Sequence, residues 1–305
     1  MDVMQQWRSV ELPAFVQKVV TMLSMEERQF LYTLGRDVWT GEGAIVDAGC
    51  FLGGSTLALG MGVLANPRSM PKDGAIHSYD LFVADSHQVG SYLKKFGAFV
   101  PGDSVRPIFD QQTLGVKHLL TVHEGDLRSF PWTPGAPIEV LFIDVSKTWA
   151  LNDFIVREFF PALMPGRSIV VQQDYVHPTC PWLAVTMEYL SEYFELIDYA
   201  PANSLVYRAI REVPRALVAT DVISSLSDAD KRALMDRAIA RSASVLAPAD
   251  LVELEAARTL MILSMEGADA ARADLARIRA DYAASPRLAR AAQWVEQRLA
   301  AAAHV

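Results

Sequence analysis

Cysteine, long apolar runs and a surplus of positive charge are what this chain has little of. Cys50 and Cys180 are its two cysteines in 305 residues. They show no metal-type spacing, so a disulfide framework is excluded and a reducing compartment is expected. No apolar run reaches the roughly eighteen residues needed to span a bilayer. Residues 1–20 set Arg8, Glu11 and Lys18 among their apolar positions, which does not read as a signal peptide. Lys and Arg total 28 against 36 Asp and Glu, a net charge of −8, which argues against broad binding to nucleic acid or an anionic membrane. The expectation is a cytoplasmic protein with neither kind of partner. What the chain does have is apolar material: 51% of its residues are hydrophobic, enough for a domain-sized core and a second unit.

Residues 13–38 predict two helices, the second opened by a capping box of Ser24 and Glu27. "AIVDAG" then reads as a buried strand and "GSTLALGMGVLA" as a helix presenting Leu57, Met61 and Leu64 on one face. "AIHSYDLF" is a second strand ending at Asp80; residues 82–107 lack a clean period and read as an insertion, a lid, before a helix near 108–117. "LLTVHEGD", "IEVLFIDV" and "RSIVVQQD" are further strands, with a helix through "TWALNDFIVREFFPALMPG" and another over 182–193. "FELIDYA" and "SLVYRAI" flank a tight "PAN" turn as a hairpin. Strands alternating with helices predict a doubly wound, mostly parallel seven-stranded α/β sheet, and the hairpin makes the last strand antiparallel.

From about residue 214 the texture changes to four Ala-rich amphipathic helices with breaks at Pro248, Gly267 and Pro286. These are expected to pack as antiparallel hairpins. The organisation read is N-terminal helices over 1–40, the α/β domain over 41–212 and a C-terminal α-helical appendage over 213–305. That appendage serves packing or homodimerisation, or docks a partner protein.

In an open α/β sheet, ligands lie beyond the carboxyl ends of the strands. "VDAGCFLGGSTLALG" places Asp47, Gly49, Gly53 and Ser55 there, at the first strand. Phe51 stands where a G-x-G-x-x-G loop needs its second glycine, and no lysine precedes Ser55, so neither common phosphate loop is present. A carboxylate at Asp47 suits a ligand with a cationic amino-acid end and repels phosphate. Asp80 ends the second strand, where a carboxylate accepts two hydrogen bonds from a ribose diol. Glu124 and Asp126 follow the third strand, where a carboxylate receives an adenine amino group. Together they point to a nucleoside with a charged tail.

The fourth strand exits at Asp144, three residues before Lys147, and the fifth at Gln173, Asp174 and His177. Asp144, Gln173 and Asp174 offer an oxygen set for Mg²⁺, which would activate a bound hydroxyl. Lys147 or His177 is then the candidate general base. His77, His118 and His123 have no metal spacing and read as structural or surface residues.

These motifs in order, with "HEGDL", "LFIDVSK" and "GRSIVVQQDYVH", resemble those of class I S-adenosylmethionine-dependent methyltransferases. The resemblance covers about residues 25–210 and leans toward macrocin-type sugar O-methyltransferases and the cephalosporin-hydroxylase-like group. It implies S-adenosyl-L-methionine as cofactor, with Asp47, Gly49 and Gly53 at its methionine end, Asp80 at the ribose and Asp126 at the adenine. The macrocin-type pattern ends its fifth strand in paired acids before Tyr, whereas here the first is Gln173. The spacing of Asp144 and Lys147 is similar to that of metal-dependent catechol- and caffeoyl-type enzymes, where the lysine is the base. The leading expectation is an O-methyltransferase acting on a small-molecule hydroxyl, in a sugar, a glycosylated metabolite or a phenol. A non-catalytic binding module of the same fold is the alternative, and Phe51 with the terminal hairpin puts an NAD-linked enzyme last.

Overall fold

The computed structural model of the chain describes residues 7–68, 70, 72–133, 135–200 and 203–302. Pro201 and Ala202 of the expected tight turn lie outside the described residues. In chain order the helices and strands are α1 (Ala14–Lys18), α2 (Met25–Thr33), β1 (Ala44–Ala48), α3 (Gly54–Leu64), β2 (Ile76–Asp80), α4 (Ser86–Ser91), α5 (Arg106–Gln112), β3 (Leu120–Glu124), β4 (Ile138–Ile143), α6 (Trp149–Phe159), β5 (Ile169–Gln172) and α7 (Pro181–Tyr189). They continue as β6 (Phe194–Ala200), β7 (Ser204–Ala209), α8 (Arg215–Val218), α9 (Asp228–Ser242), α10 (Pro248–Glu266), α11 (Ala268–Asp281) and α12 (Leu288–Ala302).

The seven strands form one sheet in the order β3-β2-β1-β4-β5-β7-β6. Parallel pairing joins β1 to β2 and β4, and β2 to β3. This is the doubly wound, seven-stranded α/β sheet expected from the sequence, with β7 lying between β5 and β6. By internal contacts the chain divides into two compact units. One comprises Met1–Val145, Ala162–Val171 and Ala200–Ala202; the other comprises Ser146–Pro161, Gln172–Tyr199 and Asn203–Val305.

In the first unit, α2 begins with the expected capping box: Ser24 Oγ accepts from Glu27 N and Glu27 Oε2 from Ser24 N. The helix α3 departs from expectation. Leu57 is buried, but Leu64 is 37% exposed, and Leu59, Gly60, Gly62 and Val63 are buried instead. A Cβ added at Gly62 would sit 2.2 Å from Tyr32 O, so it is the missing side chain that lets α2 and α3 touch backbone to backbone. A helix approached from several sides has no single apolar stripe. Glu139 on β4 is 2% exposed, and its carboxylate accepts the backbone N–H groups of Thr40 at 2.7 Å and of Glu42 and Gly43 at 3.2 Å. It thereby ties the entry of β1 to β4.

The 82–107 segment contains α4, capped by Asp85 and Gln88, and an isolated antiparallel bridge between Val83 and Ser104. Its Phe82, Ala84, Leu93 and Val105 join Cys50, Phe51 and Phe109 in one buried cluster, against which Tyr92, Phe96 and Phe99 pack. The helix expected near 108–117 is α5 followed by a 3₁₀ turn over Leu114–Leu119. Thr113 ends it, its hydroxyl donating back to Phe109 O at 2.8 Å.

In the second unit, Pro248 takes the first turn of α10 and Gly267 (φ 92°) separates α10 from α11. Val252, Ala256, Ile262, Ala271, Leu275 and Val295 form the apolar seam of α10, α11 and α12. Beside it, Asp274 accepts from Thr259 Oγ1 at 2.6 Å and pairs with Arg258 and Arg277, while Glu255 pairs with both arginines. Charges this buried need every partner, because losing one leaves the others uncompensated. The four expected tail helices are present as α9, α10, α11 and α12, and α8 was not anticipated.

Candidate functional site

The strand exits hold the site residues, and in the first unit they converge on the turn between β1 and α3. Gly49 (φ 101°) and Gly53 (φ 89°) are in the left-handed region. A Cβ at Gly49 would lie 2.7 Å from the carbonyl of Asp144, so the turn is pressed against the exit of β4. Asp144 N donates to Ala48 O at 2.7 Å, fixing that approach.

Asp47 is 0% exposed. Its Oδ2 accepts from Ser55 Oγ at 2.9 Å and Thr56 Oγ1 at 2.5 Å, while Oδ1 is buried with no hydrogen-bond partner among the described residues. Burial pushes its carboxyl up to about 7, against the lowering effect of the two hydroxyls; Asp144 and Asp80 add a smaller push. Asp47 sits behind the turn and orients the hydroxyls at the start of α3.

Asp80 closes β2 and binds the turn. Its Oδ2 accepts Phe51 N at 2.8 Å and its Oδ1 accepts Phe82 N at 2.8 Å. Both phenylalanines are left-handed, at φ 46° and φ 53°, a conformation that costs about 1–3 kcal/mol for a bulky residue. Burial raises the Asp80 carboxyl, and the backbone N–H groups of Phe82, Phe51 and Leu81 oppose that rise.

Gly49, Cys50, Phe51, Ser55 and Asp144 line a cavity of about 10 Å³ together with Thr21, Met22 and Leu23, which is room for about one water. The Thr21–Leu23 segment lies directly on the turn, since a Cβ at Gly54 would meet Thr21 Oγ1 at 2.2 Å. Sequence reasoning missed this cover. Its only trace is "TML" just before the Ser24 cap, which carries no chemical signature.

The acidic residues beyond β3 are engaged elsewhere. Glu124 pairs with Arg106 at 3.1 Å, which also pairs with Asp110. Asp126 pairs with Arg128 at 2.6 Å, and that guanidinium holds its carboxyl down at about 2. His77 and His123 are structural: their ring nitrogens lie 3.1 Å apart and His123 stacks on Tyr79.

In the second unit, Lys147 Nζ meets Asp174 Oδ2 at 2.5 Å. Asp174 is itself left-handed, at φ 60°, and its carbonyl accepts His177 N at 2.9 Å. Gln173 Oε1 accepts the hydroxyl of Ser204. His177 Nδ1 contacts Thr179 Oγ1 at 2.9 Å and accepts Thr179 N at 3.3 Å, which assigns its proton to Nε2. The ring lies edge-on to Trp294, and burial lowers its pKa, so it is neutral at neutral pH.

The expected Mg²⁺ set of Asp144, Gln173 and Asp174 draws on both units, Asp144 in the first and Gln173 and Asp174 in the second. In the second unit an ammonium pairs with Asp174 Oδ2 and a hydroxyl donates to the Gln173 oxygen, so both of these oxygens carry protein partners. No group of three or more His, Cys, Asp or Glu that could hold a metal occurs among the described residues. His177, expected as a candidate base, has its Nδ1 turned to Thr179. No helix among the described residues is long and apolar enough to cross a membrane.

No family model matches the chain, and no curated protein matches it. Among solved structures it is similar to the O-methyltransferase NovP, at 16% identity and a TM-score of 0.46 over 63% of this chain and 83% of that one. It is also similar to cofactor-bound Rv0187 from MTB, at 17% identity and a TM-score of 0.39 over 69% of this chain and 88% of that one. The functional reading rests on the geometry of the strand exits.

Proposed function

We propose that the chain is an S-adenosylmethionine-dependent O-methyltransferase that methylates a hydroxyl of a small molecule. The observation that carries this reading is Asp80. Its two oxygens are clamped by the backbone N–H groups of Phe51 and Phe82, and each keeps a second lone pair for one hydroxyl of a ribose diol. Gly49, Gly53 and Ser55 form the backbone and hydroxyl cradle for the amino-acid end. Asp47 holds Ser55 and Thr56 in place from behind. Asp144 lines the same cavity. An adenine amino group reaches Asp126 or Glu124 only by sharing them with Arg128 or Arg106. The cavity beside the turn is too small for a nucleoside, so Thr21–Leu23 must lift for the cofactor to enter.

The bound cofactor supplies an electrophilic methyl group on a sulfonium. Lys147 fixes Asp174 through Oδ2, and Asp174 Oδ1 accepts the hydrogen bond of the acceptor hydroxyl, orienting its oxygen and drawing off its proton. His177, protonated at Nε2, acts as a hydrogen-bond donor to the acceptor. No step runs through Mg²⁺.

Calorimetric titration of the full chain with S-adenosylhomocysteine, with Mg²⁺ and with EDTA, tests the reading. Micromolar binding that is equal in both buffers and lost in Asp80→Ala is expected. Absence of binding in both buffers refutes the enzyme and favours a binding module of the same fold. The closed 10 Å³ cavity is the observation on that side.

A further inference from the structure

The second unit contains a cavity of about 320 Å³, the size range of small-molecule sites. Trp149 and Trp182 stand edge-to-face in its wall, with ring centroids 5.9 Å apart at 65°. Met261 and Leu263 of α10 add an apolar floor, with Ser264 beside them. The Ser264 hydroxyl donates to Met261 O at 2.7 Å, which leaves its oxygen as an acceptor only. Trp182 is fixed by its Nε1, which donates to Ser146 O at 2.8 Å, so this wall is preformed.

Arg298, on α12, is the only charged side chain among the described residues lining the cavity. It has no ion-pair partner among the described residues, whereas the arginines of α9, α10 and α11 are all paired. Lys231 Nζ lies 5.1 Å from the Trp149 ring centroid and adds positive charge behind that indole. Two indole walls, a thioether and an aliphatic floor select a flat apolar body. An unpaired guanidinium at the edge selects a planar anion that it can grip with two N–H groups.

We propose that this cavity binds an aromatic carboxylate, its ring between the indoles and Met261 and its carboxylate on Arg298. The site stands on the second unit alone and does not depend on methyl transfer. The probe is 2-naphthoate, titrated calorimetrically into the full chain, with 2-naphthylmethanol as the uncharged counterpart of the same shape.

Binding of 2-naphthoate is expected, with the alcohol weaker by about tenfold or more, the scale of one charge-assisted hydrogen bond. Arg298→Gln should weaken 2-naphthoate by about the same factor and leave the alcohol within about twofold. Ser264→Phe, which puts a ring into the cavity, should abolish both. Arg298 lies on an exposed helix face, so its variant keeps the test decisive where the Phe variant folds poorly. No binding of 2-naphthoate, or equal affinities of wild type and Arg298→Gln for it, overturns the proposal. So does binding that survives in a folded Ser264→Phe.

Discussion

Replacing Asp47 by Asn isolates one buried carboxyl and fixes the sign of its effect. In the folded chain its pKa is raised from 3.8 to about 7 by burial. The folded state therefore holds this proton more tightly than the unfolded state, and stability from this group is lost as pH rises from about 4 to about 7. At about 1.4 kcal/mol per pH unit, the whole loss is about 4 kcal/mol, of which roughly 2.5 kcal/mol falls between pH 5 and 8. Asn keeps an oxygen to accept from Ser55 and Thr56 but does not titrate. The surface ion pairs, whose carboxylates contribute the opposite slope, are the same in both proteins and cancel in the difference. Urea unfolding of both proteins at pH 5, 6.5 and 8 should show Asp47→Asn gaining about 2–3 kcal/mol relative to wild type across that range. A difference that stays flat within about 0.5 kcal/mol, or that falls with pH, refutes the buried, reluctantly charged Asp47.

Glu139→Ala strips the acceptor from three backbone N–H groups at the entry of β1 and should cost about 3 kcal/mol in urea unfolding; Glu139→Gln, which keeps one oxygen, should cost less. Gly62→Ala forces a methyl against Tyr32 O and should destabilise by about 3 kcal/mol or more, seen as a lower thermal midpoint. Lys147→Met should leave the affinity for S-adenosylhomocysteine within about twofold while lowering kcat at least about 100-fold for a hydroxyl acceptor. Weakened cofactor affinity instead would place Lys147 in cofactor binding.

The strands were legible because they are short runs rich in apolar and β-branched residues, and three of them end in an acid or amide: β2 at Asp80, β3 at Glu124 and β5 at Gln172. The tail helices were legible because Pro248 can only open a helix and Gly267 breaks one. The face of α3 was not. Periodicity weighs the side chains that are present, whereas Gly60 and Gly62 shape this helix by the side chains they lack. The partners of the acids were equally hidden. Arg106 lies 18 positions from Glu124, and Lys147 lies 27 from Asp174. No local spacing signals these two pairs, so Glu124 and Asp174, which read as open ligands, proved to be halves of ion pairs.

Phe51 shows how the misfit in the glycine turn is supported. A residue with a Cβ resists φ 46°, yet Phe51 holds it. Two interactions offset the strain. Its N–H is received by Asp80 Oδ2, and its ring is buried in the cluster of Phe82, Leu93 and Phe109 and meets Tyr92 edge-on at 6.2 Å. A glycine would remove the strain and also the anchor, which fully buried is worth about 2–3 kcal/mol. The phenylalanine therefore joins two tasks that a phosphate loop keeps apart: it shapes the turn and it docks the 82–107 segment onto it. Asp80 is held by Phe51 N and Phe82 N, the two left-handed residues of that same cluster. It follows that packing in the insertion and the placing of the Asp80 carboxylate are one mechanical system. Loosening the insertion at Leu93 would then disturb Asp80 without touching it.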